Sequence, residues 1–383
     1  MREPTAEELA GIRQLFEKLI EARKENSRLG LGDLFDIRTL MRRMGDRGAL
    51  IGAPLYQIIA LRLGLEGTLR FGGAIWMQSN SSEATAFRLG KVRVAADGSE
   101  AKAFVHFVNE DGLPFWQCTW LVHRHGQWRF YDVQNLTSAQ SISGSAVEVS
   151  GHSQALRKQR AEAKRLVDLA QYNRDYGDYE SEDEYRSWQS PLRQADRLHM
   201  HPLTAARRWL YAGQAYLELD DAKRALLCFA RARKFDSELP GLSYYEVQSH
   251  QILEDHKGVV SSGRAFVEEV GADAEVYEWM AAALVELDRK EEAADAYRAA
   301  LAVDPQSVSS LVGLAGALPA GKKQELAERF QALANPAEQF AEIAASLYAD
   351  NDHEGIDVIV EAFRKLQPDA PSADFFAGRA RLL

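Results

Sequence analysis

Thr119, His123 and Asp132 are the side chains with which this sequence could do acid–base chemistry. A carboxylate desolvated in an apolar pocket gains proton affinity and becomes a useful base, and a hydroxyl or imidazole beside it would handle a second proton. Period-two alternation places all three among Val92, Val94, Val105, Phe107, Phe115, Leu121, Trp128 and Phe130, with Gln117 as a further polar neighbour. Against this stands a plainer reading, in which Asp132 bonds backbone or solvent at the strand's rim and His123 is exposed beside its turn. Under it no residue is catalytic. Two histidine pairs, His123 with His125 and His199 with His201, could each aim two imidazoles at one metal, but neither has a third ligand nearby, so no metal is expected. The acidic run from Asp175 to Glu184 lacks the alternating ligands and glycine of a calcium loop and reads as a solvated loop. Gly64, Gly67, Gly72 and Gly73 belong to no phosphate-cradling motif, and no cofactor is implied. Cys118 and Cys228 lack an activating motif and suit a reducing compartment, with the cytoplasm as the default.

These residues need elements to hold them. Thr5 and Glu8 have capping-box spacing, and Leu9, Ile12, Phe16, Leu19 and Ile20 follow on one helical face, predicting a helix to about Ser27. Asp33 can cap a second helix carrying Leu34, Ile37, Leu40, Met41 and Met44, and a third fits Leu55 to Leu63. From about Thr85 the period becomes two. Asp97-Gly98, Glu110-Asp111-Gly112 and His125-Gly126 punctuate four strands of an antiparallel meander. In that meander Arg124 faces Gln127, Thr119 faces Asp132 and His106 faces Trp116. The second sheet face carries Lys91, Arg93, Phe104, His106, Trp116, Cys118, Trp120, Arg129 and Tyr131. Phe104, Trp116, Trp120 and Tyr131 would form an aromatic patch too large to leave wet. It is either an interface, for a homodimer or for the helical half, or, with the faces swapped, the internal core.

Serine-rich residues 138–153 read as a linker between an α+β domain at 1–137 and an all-α region at 154–383. The chain has 383 residues, 46% of them apolar, and a formal net charge of −10 that falls almost wholly on its later part. That balance suits a basic partner and argues against nucleic acid, which needs a basic stripe. The most apolar run, Ala49 to Leu65, is interrupted by Pro54, Gln57 and Arg62, so no membrane insertion is expected; Met1 to Ala10 lacks the order of a secretory signal.

The strongest pattern lies between Trp209 and Pro305. Trp209, Gly213, Tyr216, Ala225, Phe229 and Ala232 recur two periods of about 34 residues later as Tyr277, Ala281, Leu284, Ala293, Tyr297 and Ala300, followed by Pro305. A weaker copy with Tyr245, Ser249, Ile252 and Ala265 lies between, in a slightly shifted register. Phe340, Ala344, Leu347, Phe363 and Pro368 suggest a further hairpin. Small residues at these slots let two antiparallel helices cross closely. The pattern resembles the tetratricopeptide repeat, and the resemblance implies a solenoid whose groove holds a protein or peptide. Members that clamp a chaperone's C-terminal carboxylate place Lys and Asn where this sequence has Leu210 and Gln214, so that subclass is not implied.

The helices and meander of residues 5–137, ending in Gly126-Gln127-Trp128-Arg129-Phe130-Tyr131-Asp132-Val133, resemble the nuclear transport factor 2-like fold, a sheet cone closed by helices. That superfamily includes enzymes, ligand binders and dimerisation domains, so the fold does not choose among them. Two expectations follow. One is a non-enzymatic scaffold that grips a partner through the repeats, with the front domain dimerising or holding a small ligand. The other is a catalytic or ligand-binding cone that the repeats recruit to its target.

Overall fold

The first helix begins as its capping box requires. Thr5 Oγ1 accepts from the Glu8 N–H (3.2 Å) and the Glu8 carboxylate accepts from the Thr5 N–H (2.8 Å), and α1 follows over Ala6–Lys24. The computed structural model describes residues 1–24, 32–47, 62–63, 86–108, 114–139, 141–144, 154–176, 189–237, 239–319, 321–368 and 370–380. Most of the third expected helix, the glycines at 64–73, the turn at 110–112 and most of the acidic run lie outside the described residues. The second helix, α2, spans Ile37–Asp46 and is capped by Asp36, whose carboxylate accepts from the Thr39 N–H, rather than by Asp33, which lies in a short 3-10 turn.

Four strands, β1 Ala86–Val94, β2 Glu100–Val108, β3 Pro114–Arg124 and β4 Gln127–Asn135, form one antiparallel sheet in the order β1-β2-β3-β4. His125 (φ 51°) and Gly126 (φ 74°) make the tight turn, with Arg124 opposite Gln127 and His106 opposite Trp116 as expected. The expected Thr119–Asp132 pairing is wrong. A bulge at Tyr131 puts Asp132 opposite Trp120 and Val133 opposite Thr119, moving the carboxylate to the other face. On its original face Phe16 of α1 packs against Phe87, Phe107 and Phe130, with centroids 5.5, 6.2 and 5.1 Å away.

The chain divides into two compact units, residues 1–242 with 269–271, and residues 243–268 with 272–383. They part at Leu242 rather than in the serine-rich stretch. Ser138, Ser141 and Ser143, expected to open a solvated linker, are buried, and Ser141 bridges to Gln134; residues 145–153 lie outside the described residues. The first unit continues with α3 Gln154–Tyr176, α4 Gln189–Ala195 and the hairpin α5 Pro202–Glu218 with α6 Ala222–Phe235. The second contains nearly all of α7 Leu242–Ile252 and α8 His256–Glu269, then α9 Ala274–Glu286, α10 Lys290–Val303, α11 Val308–Ala317, α12 Glu325–Gln331, α13 Pro336–Ala349, α14 His353–Leu366 and α15 Pro371–Ala380. Its core runs without a break from Val247 to Ala377, and Phe340 stacks on Phe363 at 3.9 Å. This is a helical repeat region.

The repeat register is kept by the turns. Asp220, Glu254 and Asp288 have φ of 55°, 52° and 57°, and the next residue in each case donates its N–H back to a carbonyl of the preceding helix, at Tyr216, His250 and Leu284. These positions step by one 34-residue period, so the middle copy is not shifted. Its slots are filled by Ser243, Val247, His250, Val259, Gly263 and Phe266 instead of Tyr245, Ser249, Ile252 and Ala265.

His201 caps α5 by accepting the Leu203 N–H on Nδ1 (3.2 Å). Burial, aided by the Arg160 and Arg47 cations, lowers its pKa to about 4. An unfolded histidine titrates near about 6.5, so between these values the unfolded chain binds more protons than the folded one. Stability from this group is full above that upper value and is lost as pH falls toward the lower one. Urea midpoints measured between neutral and mildly acidic pH should therefore decline in the native chain. They should decline less in His201→Asn, which keeps a capping acceptor that does not titrate.

Candidate peptide-binding surface

The three acid–base candidates do not converge. Asp132 is fully buried: Oδ2 meets Arg43 Nε at 2.7 Å and the Ser143 hydroxyl, and Oδ1 accepts the N–H groups of Val133 (3.0 Å) and Ser143 (3.1 Å). Thr119, on the opposite face, donates to the Ala103 carbonyl (3.0 Å), and His123 is exposed beside the turn, its ring 4.9 Å from Trp128. No catalytic constellation forms from these residues. Nor do the four aromatic residues make an open interface. Phe104, Trp120 and Tyr131 are buried within the chain, with the Arg43 guanidinium 4.1 Å from the Trp120 ring, and Trp116 is half-buried against His106. Cys118 and Cys228 are free and buried, and burial pushes their thiols up to about 12 and about 11. Among the described residues no group of three potential ligands could hold a metal.

At the repeat slots Gly213, Ala225, Phe229 and Ala232 are buried in the first hairpin and Ala281, Leu284, Ala293, Tyr297 and Ala300 in the third. Trp209, Tyr216 and Tyr277 are half-buried, and Pro305 is exposed beyond α10. A Cβ on Gly213 would lie 2.3 Å from Phe229 Cε1, which is why only glycine fits beside that ring.

A second periodic set lies one step away from these slots. Tyr211, Tyr245 and Trp279 stand one period apart on the first helices of three successive hairpins. On α5 this face is occupied by the chain itself. Tyr211 Oη donates to the Ser138 carbonyl (2.7 Å), Arg207 Nε to the same oxygen (3.3 Å) and Gln214 Nε2 to the Thr137 carbonyl (3.3 Å). Arg207 is held by Asp168 at 2.7 Å. Burial works against ionisation of Asp168, but Arg207 and Lys164 outweigh it and keep the carboxyl below its ordinary range. Two main-chain carbonyls of the turn after β4 are thus gripped by an aromatic hydroxyl, an amide and a cation from one helix face.

In the second unit the matching positions carry Tyr245 and Gln248 on α7, and Glu275 and Trp279 on α9. Tyr245, Gln248 and Trp279 are half-exposed and Glu275 exposed. Tyr244 bridges the helices, its ring 5.4 Å from Trp279 and its hydroxyl donating to Glu275 (2.8 Å). Partial desolvation of its carboxylate raises the Glu275 pKa although the residue as a whole is exposed, opposed by that hydrogen bond, and burial followed by the Glu275 charge pushes the Tyr244 phenol upward. Beside them Glu278 Oε1 collects the hydroxyls of Ser307, Ser309 and Ser310, which fix its carboxylate. Aromatic faces ringed by oriented carboxylates attract cationic side chains.

No protein-family model matches the chain, and no curated protein matches it. Among solved structures it is similar to MamA, residues 41 to the end, from Desulfovibrio magneticus RS-1, at 19% identity and a TM-score of 0.36, over 48% of this chain and 93% of that one. It is similar to YrrB, described as a TPR protein with an unusual peptide-binding site, at 16% and 0.33, over 44% and 89% of the two chains. PilF of Pseudomonas aeruginosa aligns at 11% and 0.39, over 58% of this chain and 99% of that one.

Proposed function

We propose that the protein is a non-enzymatic scaffold of the tetratricopeptide type that binds an extended, basic segment of a partner protein on the first-helix face of α7 and α9. The observation that carries this reading is the grip of Arg207, Tyr211 and Gln214 on the main chain of residues 137–138. It is an internal example of this face holding main-chain carbonyls, here those of the turn that follows β4. Tyr245, Gln248 and Trp279 repeat its aromatic and amide parts, Glu275 stands where the first hairpin has the Arg207 cation, and Glu278 on the same helix adds a second carboxylate, which suits Lys or Arg in the ligand. The front sheet, in our reading a nuclear transport factor 2-like domain, supports the first hairpin through residues 137 and 138. With Phe104, Trp120 and Tyr131 buried, a homodimer through that face is not part of the proposal. Both cysteines are free, and among the described residues no helix is long and apolar enough to cross a membrane. We read the protein as cytoplasmic.

Fluorescence anisotropy with a labelled twelve-residue peptide of Lys and Leu tests the proposal. Trp279→Ala and Glu278→Gln should each weaken binding by about tenfold, a cation–π contact and a charge-assisted bond being worth about 1–2 kcal/mol apiece at a partly desolvated site. Equal affinity in wild type and both variants, at unchanged melting temperature, would refute it.

A further inference from the structure

The cleft between α4, α5 and α6 in the first unit has the opposite sign to the chain as a whole. Arg193, Arg208, Arg224 and Arg231 surround the rings of Trp209 and Tyr216 in a protein of net charge −10. The guanidinium of Arg208 lies 4.0 Å and that of Arg231 4.4 Å from the Trp209 ring, and Arg224 lies 5.6 Å from Tyr216. Asp196 pairs with Arg208, and Asp221 with Arg224 at 3.2 Å. Arg193 and Arg231, both exposed, form no ion pair among the described residues. Arg208 is 7% exposed, and its Nε–H and the Gln189 Nε2 are buried donors with no acceptor among the described residues.

We propose that this cleft is a second binding site, for an acidic peptide segment whose carboxylates meet Arg193 and Arg231 while an apolar side chain lies along Leu192, Ala212 and Leu227. A guanidinium stacked on a ring has one face desolvated and its rotamer restricted, yet its in-plane N–H groups stay free to take a carboxylate in a two-point contact. Little ordering remains to be done when the ligand arrives. The cavity, about 280 Å³, accepts a few side chains rather than a folded domain. Leu227 stands 65% exposed beside the charges, which favours a ligand mixing acidic and apolar residues over inorganic phosphate. Asp196 and Asp221, set among the arginines, repel the closely spaced charges of a nucleic-acid backbone more than the wider-spaced carboxylates of a peptide. The site shares no lining residue with the α7–α9 surface and selects the opposite charge.

The test uses the full chain and a labelled twelve-residue peptide of Glu and Leu. Wild type should bind it, more weakly as salt is raised, and Arg193→Glu with Arg231→Glu should lose at least about tenfold in affinity. Both substituted residues are exposed, so an unchanged melting temperature should accompany the loss. The Lys and Leu peptide should bind the double variant as it binds wild type; if it binds neither protein while the acidic peptide behaves as stated, the earlier reading fails and this one stands. No binding of the acidic peptide to wild type, or equal binding to the double variant, overturns the proposal. So does complete displacement by inorganic phosphate, which would mark a simple anion site, or preferential displacement by a single-stranded oligonucleotide.

Discussion

Asp132→Ala is expected to cost about 3–5 kcal/mol of folding stability, read as a lowered midpoint in urea with little change in slope. The carboxylate is inaccessible to solvent and is the ion-pair partner of Arg43, whose side chain is only 16% exposed. Alanine would leave that guanidinium buried beside Trp120 with its charge uncompensated, and would also remove the acceptor for the Ser143 and Val133 N–H groups. The penalty comes chiefly from the orphaned partners rather than from the worth of the pair itself. Arg43→Met combined with Asp132→Leu removes both charges together and should therefore lose markedly less than Asp132→Ala alone. A loss below about 0.5 kcal/mol in Asp132→Ala would show that this carboxylate does not hold the segment at 141–144 to the sheet.

The same residue shows where sequence reading stops. Turn chemistry and alternation suffice for four strands, for the His125-Gly126 hairpin and for two of three cross-strand pairings. They cannot reveal one extra residue in a strand, and the bulge at Tyr131 is enough to carry Asp132 away from Thr119 and so to dissolve the imagined acid–base pair. Serine-rich composition suggested a solvated linker because it offers few apolar groups, yet Ser138, Ser141 and Ser143 are buried, with Ser143 bonded to Asp132 through both its hydroxyl and its N–H. Burial by hydrogen bonding leaves no hydrophobic signature. The repeats were legible wherever small and large residues sit in their usual slots. The middle copy departs from that pattern because Val247 and Gly263 stand where the first hairpin has Gly213 and Phe229. The period itself is intact, and Tyr211, Tyr245 and Trp279, one period apart, are the sequence signal for the face proposed to bind a partner. They fall outside the packing slots, so the repeat pattern alone does not single them out.

That exchange of small and large residues leads to the second large effect. Phe229→Ala should destabilise the protein by about 3–5 kcal/mol, because a fully buried ring is lost from a crossing whose backbones are already in contact range. Gly213→Val should cost about 1–3 kcal/mol for the opposite reason, since a side chain there would drive into the ring, whose Cε1 lies 2.3 Å from the position of an added Cβ. In the second hairpin the arrangement is inverted. Val247 is fully buried at the glycine slot, and a Cβ on Gly263 would come within 2.4 Å of Met280, so a side chain from α9 takes up the space that Phe229 fills in the first hairpin. The crossing therefore requires a filled volume and a close approach, without requiring that a particular helix supply either. Gly213→Val with Phe229→Ala should accordingly cost less than the sum of the single changes, by about 1–3 kcal/mol in a double-mutant cycle followed by urea unfolding. Additivity within about 0.5 kcal/mol would mean that glycine and ring do not share one space, and that the slots fix the hairpin by some other contact.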